Sequence, residues 1–328
     1  MRPIEGFYVK DANGTIFAVK GILHPMDKYI VVPRYMPSIG GERWDGETRY
    51  DKIPSSKYKV SMDDWPQWKY MDPYFGIELL AIGEKDIVRI YDPMLGLAEL
   101  RKGAKKFLHR ACVSLAERLE FGGLEGGCMG ISGSILLGVE KATSDVDLVI
   151  YGYANGRRAI ENLRQLRAEG ETVPIGDDVP NPMQISIGIH LSHERRKLLK
   201  GKLKFDGRYI KYLIRCVLSQ DEYVERYGEA KHTDMGSVKA EAMVIDDRLG
   251  DFLPTRYTVS TMGSQSAEVD IISYGGIISE QARNGERVLV SGKMENVVGK
   301  NGRLESEIVV DMGGHYLYSP ELDEGLNP

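Results

Sequence analysis

Asp145-Val146-Asp147 sets two carboxylates two residues apart, and the apolar run Leu148-Val149-Ile150 that follows reads as a β-strand. Side chains alternate along a strand, so Asp145 and Asp147 share one face while Val146, Leu148 and Ile150 take the other. Two like charges held this close repel, and at neutral pH they need a cation between them. Magnesium suits the task, because it takes oxygen ligands and is held by one or two carboxylates together with substrate phosphates. Upstream, Gly133-Ser134 ends one expected strand, Cys128 to Ser132, and opens a short helix. Backbone N–H groups at that point can meet phosphate oxygens, glycine allows close approach, and the Ser134 hydroxyl can add a hydrogen bond. Lys141 lies in the spacer and can reach a phosphate. Arg157 and Arg158, just past the strand, are further candidates, though arginines opening a helix are usually solvated.

Gly-Ser, a spacer of about ten residues, and Asp-x-Asp followed by apolar residues resemble the signature of the DNA polymerase beta-like nucleotidyltransferase superfamily. The likeness covers residues 128–152. It implies that Asp145 and Asp147 bind the catalytic metal, expected as two magnesium ions with Mn2+ as a substitute; Gly133, Ser134 and Lys141 are the candidate nucleotide contacts. It also implies a third carboxylate on a later strand. Lys204-Phe205-Asp206-Gly207-Arg208-Tyr209-Ile210 is similar to that strand, which makes Asp206 a candidate metal ligand and general base toward an acceptor hydroxyl. Gly207 departs from the pattern, since a larger apolar residue is usual there, and Asp206-Gly207 reads equally as a turn. Asp270, in Glu268-Val269-Asp270-Ile271-Ile272, is the rival. Val19 to Pro25, with Arg34-Tyr35-Met36-Pro37, resembles the leader module of uncharacterised archaeal proteins predicted to be nucleotidyltransferases.

The expected activity is transfer of a nucleoside monophosphate from a nucleoside triphosphate, ATP included, to an acceptor hydroxyl with release of pyrophosphate. A polynucleotide end, a protein side chain, an antibiotic-like small molecule or a second nucleotide would all suit as acceptor. Two other readings stay open: a nucleotide- or nucleic-acid-binding protein without turnover, and a hydrolase of phosphodiesters using the same metals.

The surrounding elements give an expected α+β architecture of three modules. Residues 1–95 form a β-rich part. Gly6 to Lys10 and Thr15 to Gly21 are strands joined by a hairpin at Asn13-Gly14, Tyr29 to Val32 is a third strand, and a long loop runs from Pro33 to about Pro66. Residues 96–238 form the polymerase beta-like nucleotidyltransferase core of mixed sheet and helices. A helix from Leu97 to Leu119 is expected there from apolar steps of three and four. Further helices are expected over Arg157 to Ala168 and Ser192 to Lys200, and a strand from Leu203 to Ile214. Residues 239–328 carry short strands separated by glycine turns, which suggests an OB-like β-barrel.

Composition sets the outer bounds. A chain of 328 residues with 42% hydrophobic and 28% charged residues is globular, and a net charge of −5 gives no long-range attraction for polyanions. Cys112, Cys128 and Cys216 form neither a disulfide framework nor a zinc ribbon, and read as free thiols. His190 and His193 have no third ligand nearby in sequence and read as a helix-entry pair without a metal. The opening MRPIEGFYVKDANG is polar rather than signal-like, and no apolar run spans a bilayer. A cytoplasmic protein without membrane contact is expected.

Overall fold

The computed structural model describes residues 2–54, 60–177, 179–223, 226–263, 266–300, 302–311 and 314–322. Along the first part of the chain run β1 (Tyr8–Asp11), β2 (Ile16–Val19), β3 (Lys28–Pro37), β4 (Arg43–Trp44), β5 (Arg49–Lys52), β6 (Lys69–Asp72), β7 (Ile77–Gly83) and β8 (Ile87–Tyr91). Then come α1 (Pro93–Lys102), α2 (Phe107–Phe121), β9 (Met129–Ile131), α3 (Gly133–Leu137), β10 (Val146–Tyr151), α4 (Tyr153–Ala168), β11 (Thr172–Val173), α5 (Ile187–Arg196), β12 (Lys200–Phe205) and β13 (Arg208–Val217). The last part holds β14 (Ala230–Leu249), β15 (Phe252–Leu253), β16 (Thr255–Thr261), β17 (Glu268–Ser273), β18 (Arg287–Gly299), β19 (Leu304–Val309) and β20 (Tyr316–Tyr318).

These elements form two compact units. One comprises residues 1–73, 77–162 and 203–228, the other residues 74–76, 163–202 and 229–328. The expected N-terminal module and the motif-bearing strands thus belong to one body. In it, β1–β8 make an eight-stranded sheet with the path β4-β5-β3-β2-β1-β8 and a β6-β7 branch on β3. A second sheet runs β12-β13-β10-β9, with β10 parallel to β13 and antiparallel to β9.

The expected helix-and-sheet polymerase beta-like core is corrected by this arrangement. Three large sheets, mixed or antiparallel, dominate, and the described residues hold five α-helices, of which α3 has only five residues. Several local causes contribute. The apolar period from Leu97 to Leu119 is interrupted at Gly103, which ends α1, so the single expected helix is two. The stretch from Lys200 to Val217 is a hairpin, not one strand. Between Pro33 and Pro66, where a loop is expected, the chain forms the rest of β3 together with β4 and β5; residues 55–59 of that stretch lie outside the described residues.

Local chemistry explains the elements that hold the motif. Asp92 caps α1, its carboxylate accepting from Met94 N at 2.8 Å and Leu95 N at 3.2 Å, with Pro93 in the first turn. On α2, Leu108, Ala111, Cys112, Leu115 and Leu119 make one buried stripe, and the helix packs on β10. Burial pushes the Cys112 thiol up to about 12, so it is inert packing. The other face of β10 is covered too. Val149 and Tyr151 lie under the Glu5-Gly6 backbone, where the Tyr151 hydroxyl donates to Glu5 O at 3.0 Å and Ser132 Oγ donates to Gly6 O at 3.0 Å. Gly6, at φ +101°, is required there, because a Cβ would stand 2.8 Å from the Tyr151 hydroxyl.

In the second unit, β14, β16, β17, β19 and β18 pair in sequence, and β18 pairs back onto β14, so five strands close into a ring. β17 and β19 are its parallel pair. Val244, Tyr257, Val259, Ile271, Val288, Val290 and Ile308 fill the interior. Short β-branched and aromatic runs with glycine turns between them favour such closure, which leaves few unpaired edges.

The clamp of the N-terminal segment on β10 can be tested with two glycines of similar backbone conformation. Gly21, at φ +77°, has open space where a Cβ would go. Gly21→Ala should cost about 1 kcal/mol of strain, and Gly6→Ala about 2 kcal/mol more from the added overlap. Denaturant midpoints of the two variants would check this, and equal losses would refute the clamp.

Candidate active site

The motif residues line a polar pocket of about 150 Å³ within the first unit. Gly133, Ser134, Asp145 and Asp147 form one wall. β10 presents Asp147 on its pocket face, while Val146 and Leu148 are fully buried on the opposite side. Asp145 stands exposed just before the strand. Asp147 crowds Gly133, leaving no room for a side chain there. A Cβ on Gly133 would lie 2.0 Å from Asp147 Oδ2, and Gly133 has φ +61°. This glycine is therefore demanded first by the carboxylate pressed against its Cα, and any approach of a phosphate comes second. With five residues, α3 is too short for a sizeable dipole, so individual N–H groups matter more than the helix as a whole.

The opposite wall is basic and comes mainly from the N-terminal sheet. Arg34 and Tyr35 of β3, Arg43 of β4 and Lys52 of β5 face the carboxylates, with Tyr8 of β1 beneath them. Cross-strand pairing explains the clustering, since Tyr35 lies opposite Lys52 and Arg43 opposite Tyr50. Arg43 is fixed by donation from Nη1 to Val139 O at 2.9 Å and lies over the Tyr35 ring at 5.7 Å. The fourth cation, Arg215, is on β13. Asp147 pairs in register with Leu213 across parallel strands, so Lys211, Leu213 and Arg215 share the Asp147 face.

The titration of these groups reflects their crowding. Burial raises the Asp147 carboxyl above the ordinary carboxylate range and Asp145 adds to the rise, while Arg215, Arg34 and Lys52 pull it back. Lys52 moves down from the ordinary lysine value, through loss of solvent and then through the neighbouring Arg34 and Arg43. Burial pushes Tyr35 up to about 12, so its hydroxyl stays protonated at neutral pH.

The other expected site residues lie elsewhere. Asp206 is corrected: with φ 47° it sits beside Gly207 at φ 71° as the two-residue turn between β12 and β13. It precedes Leu213, the residue level with Asp147, by seven positions, which at about 3.3 Å per residue is roughly 20 Å along the strand. The two carboxylates of the pocket therefore have no third from Asp206. Asp270 belongs to the second unit, where it accepts from Thr258 Oγ1 at 2.7 Å and pairs with Arg256 at 3.4 Å. Lys141 is turned to an ion pair with Glu42 and is not among the pocket-lining residues. Arg157 and Arg158 are exposed on α4, also outside the lining. His190 and His193 are buried in α5, and burial drives His193 down to about 2.

Sequence reasoning missed Tyr8, Arg34, Tyr35, Arg43, Lys52, Thr143, Ser144 and Arg215. Ser144 had a local signal, since its Oγ accepts from Lys141 N at 2.9 Å in the turn leading to Asp145. The basic residues had none, because their convergence depends on β3, β4 and β5 pairing in a stretch expected to be loop.

No family model matches the chain. It is similar to an uncharacterised protein of Methanocaldococcus jannaschii, with 27% identity over 323 residues that cover 92% of this chain and 94% of the relative. No helix among the described residues is long and apolar enough to cross a membrane.

Arg215→Ala should raise the Asp147 pKa further, because the largest cationic influence on that carboxylate is removed. Carboxyl chemical shifts followed through a pH titration would read it. An unchanged or lowered midpoint would contradict the electrostatic account of the pocket.

Proposed function

We propose that this pocket binds a nucleoside triphosphate with one divalent cation and transfers the nucleoside monophosphate to an acceptor hydroxyl, releasing pyrophosphate. The observation that carries the reading is the meeting of Asp145 and Asp147 with Arg34, Arg43, Lys52 and Arg215 around one small polar cavity. The local likeness of residues 128–152 to the nucleotidyltransferase signature supports it further.

The donor set suits magnesium or manganese: two carboxylates lining one pocket, with oxygen as the only ligand atom. Such an ion would neutralise charge building on the reacting phosphate. Charge balance favours one ion over two. Four cations and two carboxylates leave the pocket at a formal +2. A triphosphate carries about −4, and with one divalent cation about −2, which matches the pocket. With Asp206 distant, the ligand a second ion would need is missing.

The chain's own groups have distinct tasks. Arg34, Arg43 and Lys52 bind the phosphate oxygens from the N-terminal side, and Arg215 does so from β13 while holding Asp147 ionised. Backbone N–H groups after Gly133 and the Ser134 hydroxyl complete the cradle. The acceptor oxygen bonds to the α-phosphorus as the bond to the leaving pyrophosphate breaks. The acceptor's proton passes to solvent, because among the described residues neither Asp206 nor any other third carboxylate lines the pocket. A cavity of about 150 Å³ holds phosphates rather than a whole nucleotide, so the base and acceptor lie outside it.

Replacing both Asp145 and Asp147 by Asn should abolish cation-dependent pyrophosphate release, and Arg215→Ala should weaken triphosphate binding by about 10- to 100-fold. Asp206→Asn should leave turnover within about twofold of the native chain, since asparagine also tolerates the left-handed turn conformation. Loss of turnover in Asp206→Asn would overturn the assignment. The pH dependence has a definite sign. Protonated Asp147 cannot ligate, and its pKa is raised, so Mn2+ affinity should fall at a higher pH than an ordinary carboxylate would give. Manganese titrations followed by electron paramagnetic resonance between pH 4 and 8 would check it.

A further inference from the structure

In the second unit, His232 of β14, Glu295 of β18 and Glu307 of β19 are all buried, at 6%, 4% and 7% exposure. Glu295 and Glu307 are directly opposed in the β18–β19 pairing, and His232 is opposite Val297, one diagonal step from Glu295. All three lie on the face opposite Met294 and Ile308, which point into the ring's interior. His232 Nδ1 is 3.0 Å from Glu295 Oε2 and 3.1 Å from Glu307 Oε1, and one ligand atom from each residue lies within 4.8 Å of the others.

Two buried, directly opposed carboxylates repel and require a cation. Lys293 meets the remaining oxygen, Oε1, of Glu295. That leaves Glu295 Oε2 and Glu307 Oε1 converging on one imidazole nitrogen. A single Nδ1–H points at one acceptor. It serves Glu295, and Glu307 Oε1 is left buried without a hydrogen-bond partner.

We propose that His232, Glu295 and Glu307 bind a divalent transition-metal ion of the zinc type. One imidazole nitrogen and two carboxylate oxygens match zinc or cobalt better than magnesium, which prefers oxygen ligands alone. Ligands about 2.1 Å from a tetrahedral ion lie about 3.4 Å apart, so the two spacings from His232 Nδ1 need to open by only a few tenths of an ångström. The surroundings are those of a water-poor metal site. The Tyr74 and Phe75 rings lie against His232 with centroids at 4.8 and 5.4 Å, Phe75 packs on Tyr274, and Lys293 orients Glu295. An ion held there would tie the three strands β14, β18 and β19 together.

The test uses the full chain carrying Asp145→Asn and Asp147→Asn, so that the pocket of the first unit cannot report. Titration with Co2+ should give one equivalent bound, a visible ligand-field band and a raised melting temperature. Adding Glu307→Gln should weaken cobalt binding about 100-fold or more and remove the band. If that variant does not fold, Glu307→Asp keeps an oxygen ligand on a shorter arm and should shift the band. Absence of the band in the otherwise intact chain would overturn the proposal. So would cobalt uptake that Glu307→Gln leaves unchanged.

Discussion

The carboxylate of Asp147 lies against Gly133 Cα on a strand covered on both faces, and much of the first unit follows from keeping that anion ionised. Burial raises its pKa, and Asp145 beside it adds to the rise. Arg215 from the parallel neighbour and Arg34 and Lys52 from the N-terminal sheet oppose this. The cations in turn crowd each other, as the lowered Lys52 pKa records. Two carboxylates and four cations in one cavity are charge-unbalanced, and a polyanion carrying a divalent cation restores the balance. In a chain with a net charge of −5 the positive charge of this pocket is local.

The N-terminal sheet is therefore part of the site and no mere leader. Its strands supply the basic wall, and the Glu5-Gly6 backbone closes over Val149 and Tyr151, the same face of β10 that presents Asp147. The second unit meets a similar electrostatic problem with different means. Glu295 and Glu307, opposed across β18 and β19, are met by an imidazole and a lysine, and an imidazole between two carboxylates is also a set of metal donors.

What the sequence made legible was local. Asp147 on the pocket face of β10 with Asp145 just before the strand, Gly133-Ser134 at the turn into α3, and the β1–β2 hairpin all depend on periods of two or on turn residues close in the chain. What it concealed depends on pairing between distant segments. Arg215 reaches the pocket because β13 lies parallel to β10 in a register that sets Leu213 beside Asp147. Arg34, Arg43 and Lys52 converge because three short strands pair within a stretch rich in proline, glycine and charge. Asp206 misled for a related reason: Asp-Gly is a strong two-residue turn, and turn chemistry prevailed over the strand that the resemblance implied. The alternation of strand and helix likewise overstated the helical core, because Gly103 divides one helix and the Asp206 turn converts a strand into a hairpin.

Calorimetric titration of the full chain with a non-hydrolysable nucleoside triphosphate, with and without Mg2+, tests the central claim most directly. The account predicts that Mg2+ tightens triphosphate binding and that triphosphate tightens Mg2+ binding by the same factor, because each ligand completes the other's site. Triphosphate affinity that is the same in Mg2+ and in chelator, or no triphosphate binding at all, would contradict it.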